Sequence, residues 1–232
     1  MKIDPRHRFP LACLAVFLAW WIALAIDPKY RSTWFHENML VFVGVPALVW
    51  LHRKMPFSRV SLALLTLFLC LHEFGAHYSY SEVPIFDWVK DQGGFERNHY
   101  DRAVHFSFGF LLAYPLREVF MRVASVKGFW SYYLPVDLVM AASMLFEIFE
   151  WVFVLVADPG AGTAYLGSQG DPWDAQKDMG LATVGGLLAM TVVMAINLLT
   201  DKNFRAEFAE SLRVKRAEPL GEVELARRNG QR

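Results

Sequence analysis

The sequence predicts an all-α fold: a polytopic membrane helix bundle of about six transmembrane helices, with both termini in the cytoplasm. Hydrophobic residues make up 55% of the 232 residues, and long apolar runs recur through the first 200 positions. A helical crossing of the bilayer needs about 20 predominantly apolar residues. Soluble domains rarely contain several runs of this length with so few charges, so we expect residues 1–200 to form one transmembrane bundle.

The predicted helices follow from the apolar runs and the turn signals between them. They span residues 9–26, 36–51, 60–78, 100–120, 132–157 and 175–199. The first is interpreted as a spanning helix rather than a signal peptide, because no small-residue cleavage site precedes Asp27. Glycine and proline mark the loops, as at Gly93 and between residues 158 and 172.

Residues 201–232 predict a cytoplasmic tail that is amphipathic at first and disordered further on. Phe204, Phe208 and Leu212 are spaced four apart among charged residues, which is typical of a helix that lies on the membrane surface. From Pro219 onward we expect no regular structure.

The positions of lysine and arginine predict the orientation. With the N-terminus inside, the outer loops hold six of the 23 Lys and Arg residues, namely Lys29, Arg31, Lys90, Arg97, Arg102 and Lys177. The others lie in segments assigned to the inside, at residues 2–8, 53–59, 117–127 and in the tail. Because cytoplasmic segments are enriched in these residues, both termini are predicted to be cytoplasmic.

Acidic residues and histidines gather at the outer end of the predicted bundle. They come from four helices and the loops between them: His72, Glu73, His77, Glu82, Asp87, His99, Asp101, His105, Glu147, Glu150, Asp171, Asp174 and Asp178. An ionisable group in the bilayer is costly, so such residues usually face the bundle interior and mark function. Asp101 and His105 are four residues apart, as are Glu73 and His77, so each pair shares a helix face.

Structural roles remain open for several of these residues. Asp101 and Arg102 could mark a helix end at the membrane interface. Asp174 could cap the sixth helix, because Asp is favoured at the cap position and in the first turn. Glu147, which lies in an apolar stretch near the middle of the membrane, could tie helices together by a hydrogen bond.

Carboxylates and imidazoles that converge from separate helices predict a site for a divalent metal such as Zn, Fe or Mn. The candidate metal ligands are His72, Glu73, His77, Asp101, His105, Glu147 and Asp178. The candidate catalytic residues are Asp101, His105, Glu147, Glu150, Asp174 and Asp178. The candidate substrate-binding residues are Arg97, Arg102 and His99, and the arginines would hold an anionic headgroup. Without a metal, the same residues could carry general acid–base chemistry.

Three polar strings carry a family resemblance. Residues 72–78 (HEFGAHY), 96–102 (ERNHYDR) and 167–178 (GSQGDPWDAQKD) resemble the YjdF-type family of bacterial inner-membrane proteins, over roughly residues 35–200. The resemblance implies a multi-pass protein of the bacterial inner (cytoplasmic) membrane and carries no assigned reaction.

A more distant resemblance concerns the order of motifs. Residues 101–106 (DRAVHF), 146–150 (FEIFE) and 170–178 (GDPWDAQKD) follow an order similar to that of VanZ-like membrane proteins, which are associated with resistance to glycopeptide antibiotics. Arg102 replaces the lysine of that pattern, and Asp178 stands where its asparagine or the neighbouring aspartate would align.

These observations support three functional hypotheses. The first is a membrane-embedded, metal-dependent hydrolase or transferase that acts on a lipid or cell-envelope precursor from the outer, periplasmic side. The second is a small-molecule or proton-coupled transporter, against which stands the absence of an internal repeat. The third is a non-catalytic envelope or antibiotic-tolerance factor. The predicted partner is the lipid bilayer, and no nucleic acid is expected.

Overall fold

The computed structural model describes residues 4–156 and 169–230, and every regular element within them is a helix. The helices are α1 (Pro5–Ala25), α2 (Arg31–Glu37), α3 (Met39–Lys54), α4 (Arg59–Tyr78), α5 (Pro84–Gly93), α6 (Tyr100–Val123), α7 (Trp130–Val156), α8 (Asp174–Thr200), α9 (Phe204–Ser211) and α10 (Leu220–Asn229). A short 3-10 helix, Tyr80–Glu82, follows α4. The prediction of an all-α membrane bundle is confirmed.

Five stretches of the described chain are long and apolar enough to cross a membrane: α1, the continuous stretch Arg31–Lys54 that contains α2 and α3, α4, α7 and α8. Each corresponds to one of the predicted spanning helices. The remaining predicted helix, 100–120, corresponds to α6, whose 24 residues would extend about 36 Å. Charged residues at both ends make α6 more polar than the other five, so the count of six spanning helices stays a prediction. The side of the membrane on which each terminus lies also stays a prediction.

Two helices differ from the predicted organisation. The predicted helix 36–51 begins earlier, at Arg31, and is divided at Asn38 into α2 and α3. Asn38 is fully buried, donates to the carbonyl of Trp34 and accepts the indole N–H of Trp21 from α1. Helix α5 lies where a loop was expected; it starts with Pro84 at its first position and ends before Gly94, which adopts φ +64°. Proline at the start and a left-handed glycine at the end are ordinary helix boundaries.

Close packing of α6 against α8 fixes the register of the site. A Cβ atom added at Gly109 on α6 would lie 1.8 Å from the carbonyl oxygen of Ala182 on α8. A Cβ atom at Gly185 on α8 would lie 2.2 Å from the carbonyl oxygen of Phe106. Glycine is therefore required at both contacts, as in other tightly packed membrane helices. The contact places the first turns of α6 beside the first turns of α8.

The C-terminal tail, described from residue 201 to residue 230, is more structured than the sequence indicates. Helix α9 packs on the start of α7: the Phe208 ring lies 5.8 Å from that of Phe129, and Glu207 accepts the backbone N–H of Gly128 at 3.1 Å. Phe204 and Phe208 thus contact the bundle core rather than only a membrane surface. Helix α10 occupies part of the stretch from Pro219 onward for which disorder was expected.

Candidate metal centre

Two helices bring a carboxylate, an imidazole and a second carboxylate together at the outer end of the bundle, named after its predicted orientation. Asp101 and His105 lie one turn apart on α6, and Asp178 comes from α8. One ligand atom from each of these residues lies within 4.8 Å of the other two. In the described part of the chain, this is the group of His, Cys, Asp and Glu side chains with metal-binding proximity.

Glu147 on α7 adds a fourth side chain to this group, which we call the α6–α8 acid cluster (Asp101, His105, Glu147 and Asp178). Its Oε1 lies 3.6 Å from His105 Nε2, and Asp101 Oδ1 lies 3.5 Å from the same nitrogen. Ligands at about 2.0–2.2 Å from a tetrahedral zinc ion stand about 3.3–3.6 Å apart. The observed spacing around His105 Nε2 therefore fits a shared metal ion.

Two atoms of the cluster have no hydrogen-bond partner among the described residues. They are Oδ1 of Asp178, a residue only 2% exposed, and Oε1 of Glu147, whose side chain is 10% exposed. Buried carboxylate oxygens are almost always satisfied in folded proteins. Three carboxylates beside one imidazole also repel one another unless a cation or protons compensate them. Both observations favour a ligand inside the cluster.

The neighbouring arginines are engaged by two other acids. Arg97 forms a short ion pair with Asp174, and Arg102 Nη2 lies 2.5 Å from Asp171 Oδ2. Lys177 Nζ lies 2.5 Å from the same Asp171 oxygen. These five side chains form the Arg–Asp network, which joins the start of α8 to the start of α6 by ion pairs. Headgroup binding by Arg97 and Arg102 stays a prediction. It would require each guanidinium group to bind the headgroup and its present carboxylate partner at the same time.

The pKa values of two titratable groups outside the spanning helices depend on this network. Hydrogen bonds from the Lys177 side chain and from the backbone N–H of Trp173 lower the pKa of Asp171 to about 2, so this carboxylate stays ionised at any ordinary pH. Partial burial and the positive charges of Arg102 and Arg97 lower the pKa of His99 below its usual value. His99, predicted to bind substrate, therefore stands beside the network as a neutral ring that packs edge-on to Phe95.

A backbone-to-side-chain clamp holds the two loops that carry the network. Gln169 donates to the carbonyl of Asn98 at 2.9 Å and accepts the backbone N–H of Asn98 at 2.9 Å. The Asn98 side chain in turn donates to the Val83 carbonyl and to Asp87. Asn98 is 1% exposed. Both residues lie in polar strings, but an asparagine and a glutamine in loops carry no spacing signal for such a clamp.

The His72 and His77 side chains contact groups outside the α6–α8 acid cluster. His72 makes contacts through both ring nitrogens, with the Tyr80 hydroxyl at 2.5 Å and the Glu37 carbonyl at 3.2 Å. Burial raises the pKa of the Tyr80 hydroxyl, so it stays protonated and donates. His77 Nδ1 contacts the carbonyl of Leu24 at 2.8 Å. The structure does not bring His72, Glu73 or His77 into the acid cluster, and their role as ligands stays a prediction.

Glu150 lies apart from the cluster, in the wall of a membrane-embedded cavity of about 460 Å³ between α3, α4, α6 and α7. Asp101 and His105 line one end of the same cavity, together with Glu37. Glu37, a buried acid, is a site residue that the sequence interpretation missed. Its signal was present, because it is an ionisable residue followed directly by an apolar helix.

Comparison with known proteins assigns the family. Residues 9–198 match the family model described as "Predicted membrane protein (DUF2238)". The chain is 33% identical over 167 residues to the inner membrane protein YjdF of Escherichia coli K12, an alignment that covers 72% of this chain and 79% of the relative. No solved structure matches. The predicted resemblance and the inner-membrane location are therefore confirmed, and the chain belongs to the DUF2238 family of predicted membrane proteins.

Proposed function

We propose that the protein is a membrane-embedded, metal-dependent hydrolase or transferase that acts on a lipid or envelope precursor at the outer face of the membrane. The observation that carries the proposal is the convergence of Asp101, His105 and Asp178 within 4.8 Å, with Glu147 beside His105. Imidazole nitrogen and carboxylate oxygen suit zinc, iron or manganese better than a soft-ligand metal.

The donor set divides naturally into ligands and a base. Asp101, His105 and Asp178 offer three protein ligands, the number that a catalytic zinc site uses while it keeps a fourth position open. Bound metal would lower the pKa of a water ligand and so supply a nucleophile at neutral pH. Glu147 contacts the same imidazole from α7, and its free Oε1 could accept the proton of that water or serve as a fourth ligand.

The Arg–Asp network supports the site from the outer side. Asp174 bonds to Arg97 and lies close enough to Asp101 and Asp178 to interact with them electrostatically. It thereby holds the positive charge of the arginines next to the acid cluster without entering it. An anionic group of a substrate would meet this positive charge after passing the cluster. The predicted substrate-binding role of Arg97 and Arg102 is retained on this ground, and that of His99 stays a prediction.

Turnover of membrane lipid by purified protein tests the proposal. The protein would be reconstituted into vesicles of phosphatidylethanolamine, phosphatidylglycerol and cardiolipin, and products would be followed by mass spectrometry. We expect conversion that needs a divalent metal, stops on chelation and is lost in Asp178→Asn. The control is Asp137→Asn, at an exposed position near the start of α7, which should retain conversion. Conversion that survives chelation or persists in Asp178→Asn would contradict metal-dependent chemistry at the cluster.

The alternatives make different predictions. A transporter would move a solute across the vesicle membrane without altering it. An envelope factor of the VanZ-like kind would tolerate amide substitutions in the cluster, because an amide retains size and hydrogen bonding. Among the described residues, the proximity of Asp101, His105 and Asp178 supports the metal-dependent enzyme over either alternative.

A further inference from the structure

The cavity between α3, α4, α6 and α7 is apolar along most of its wall. Its lining from α3 and α4 includes Leu48, Val45 and Leu65, and its lining from α6 and α7 includes Phe108 and Phe146. The volume of about 460 Å³ lies within the range of small-molecule sites, about 300–1,000 Å³. In a bilayer, such a space is suited to a hydrocarbon chain.

Most polar residues of the cavity lie in the outer parts of their helices or directly after α4. They are Glu37, His72, Ser79, Tyr80, Asp101, His105 and Glu150, while Ser143 lies near the middle of α7. Asp101 and His105 belong to the α6–α8 acid cluster, so the cavity leads directly to the proposed metal site. A molecule that fills the cavity would therefore have an apolar body and a polar end at the reacting groups.

The cavity also has a route to the surrounding lipid. Helix α3 continues from α2 through Asn38, and its backbone stands away from α4, α6 and α7. Two lining residues on either side of this gap are well exposed, Leu40 at 50% on α3 and Leu145 at 61% on α7. At the outer end the gap is crossed by the rings of His36 and Phe153, whose centroids lie 4.1 Å apart. Access is therefore from the side, between α3 and α7.

We propose that this cavity binds one acyl chain of a bilayer phospholipid, which enters between α3 and α7 and presents its polar end to Asp101 and His105. The inference rests on the proposed function, because it names the substrate class of the same site. Three observations commit it to an acyl chain: the apolar wall, the polar end at the cluster, and the opening towards the region of the membrane where phospholipid chains are the bulk component.

Gly44 offers a variant that closes the cavity without disturbing the packing. It lines the cavity on α3, and a Cβ atom added there meets no other atom within 4 Å. A phenylalanine at this position would occupy space available to the chain. Gly180 on α8 is the matched control, because its Cβ also meets nothing within 4 Å and the residue lies outside the cavity wall.

The experiment uses phosphatidylglycerol with a photoactivatable diazirine in one acyl chain, incorporated into vesicles that contain the full-length protein. Adducts would be mapped at Leu65 and Val104, two lining residues that are 7% and 6% exposed and thus shielded from lipid around the protein. We expect labelling of both residues in the wild type and in Gly180→Phe. In Gly44→Phe we expect labelling to fall about tenfold, because a ring that excludes two methylene groups of the chain from the cavity removes burial worth that factor.

The outcomes separate this inference from the proposed function. Labelling confined to exposed residues, or unchanged in Gly44→Phe, would overturn acyl-chain binding. Labelling of Leu65 and Val104 by a diazirine isoprenoid phosphate but not by the phospholipid would also overturn it. In Asp178→Asn we expect bound metal to be lost and labelling to persist. If the wild type binds no metal but the labelling pattern holds, the proposed function fails while the lipid site stands.

Discussion

His105 Nε2 lies 3.6 Å from Glu147 Oε1, which joins α6 to α7 by a contact too long for a good hydrogen bond and well suited to two ligands of one metal ion. Asp101 Oδ1 stands at a similar distance, 3.5 Å, from the same nitrogen. The imidazole therefore lies near two carboxylates without being firmly bonded to either. Carboxylate oxygens of the cluster therefore lack hydrogen-bond partners, whereas the acids of the neighbouring Arg–Asp network are paired with arginines.

The first prediction compares two aspartates one turn apart on α8. Asp174→Asn should lower the stability of the purified protein, because it breaks a buried pair with Arg97, a change that typically costs about 3–5 kcal/mol. Asp178→Asn should leave the stability of the metal-free protein unchanged or raise it, since it removes a repelling carboxylate of which one oxygen is unpartnered. Thermal unfolding in detergent after chelation measures both. Equal destabilisation by the two variants would mean that Asp178 is a structural residue.

The second prediction concerns the contact that aligns α6 with α8. Gly109→Ala should destabilise the bundle by about 1–3 kcal/mol, because its Cβ would overlap the Ala182 carbonyl and force the helices apart. Metal affinity should fall with it, since the same contact sets Asp178 against His105. Gly180→Ala is the control, with open space at its Cβ. A Gly109→Ala protein that unfolds at the wild-type temperature would show that the close approach is not needed.

The third prediction is a pH dependence. Because the pKa of Asp171 is depressed from 3.8 to about 2, its contribution to stability is fully present above its ordinary value and is lost as pH falls through about 2. The difference in unfolding temperature between wild type and Asp171→Asn should therefore be constant from about pH 5 to pH 8 and shrink below about pH 4. A difference that disappears near neutral pH would place the titration elsewhere.

The fourth prediction concerns the orientation. Reporter fusions after Lys127 and at the C-terminus should report the cytoplasm, and a fusion near Gly94 should report the outside, as the distribution of lysine and arginine requires. A second outer fusion, at Gly162, falls outside the described residues. A cytoplasmic signal at Gly94 would move the acid cluster to the inner face and remove the basis for a periplasmic substrate.

Part of the site could be predicted from the sequence because its signal is local. Asp101 and His105 are four apart on one helix, and Glu147 and Asp178 are acids in or beside apolar runs, where ionisable residues are costly. What the sequence does not contain is the partner of each residue. Arg97 and Arg102 were expected to face a substrate, yet they bond to Asp174 and Asp171, because the contact between Gly109 and Ala182 brings the starts of α6 and α8 together.

The cavity and the loop clamp could not be predicted for the same physical reason. An apolar wall built from α3, α4, α6 and α7 looks like ordinary lipid-facing sequence until the helices are placed. Gln169 and Asn98 lie 71 positions apart, and only the fold shows that they pair. Helix α5 was missed because its ten residues are too few and too polar for a spanning helix, although Pro84 and Gly94 mark its ends.

Metal analysis of the purified protein tests the central claim most directly. After purification without chelator, or after incubation with zinc, manganese or ferrous iron and removal of the excess, elemental analysis should find about one metal ion per chain in the wild type. Asp137→Asn should retain it, while Asp101→Asn, His105→Ala and Asp178→Asn should remain folded and lose nearly all of it. A folded wild-type protein that binds none of these metals, or three variants that bind as much as the wild type, would contradict a metal centre at the α6–α8 acid cluster.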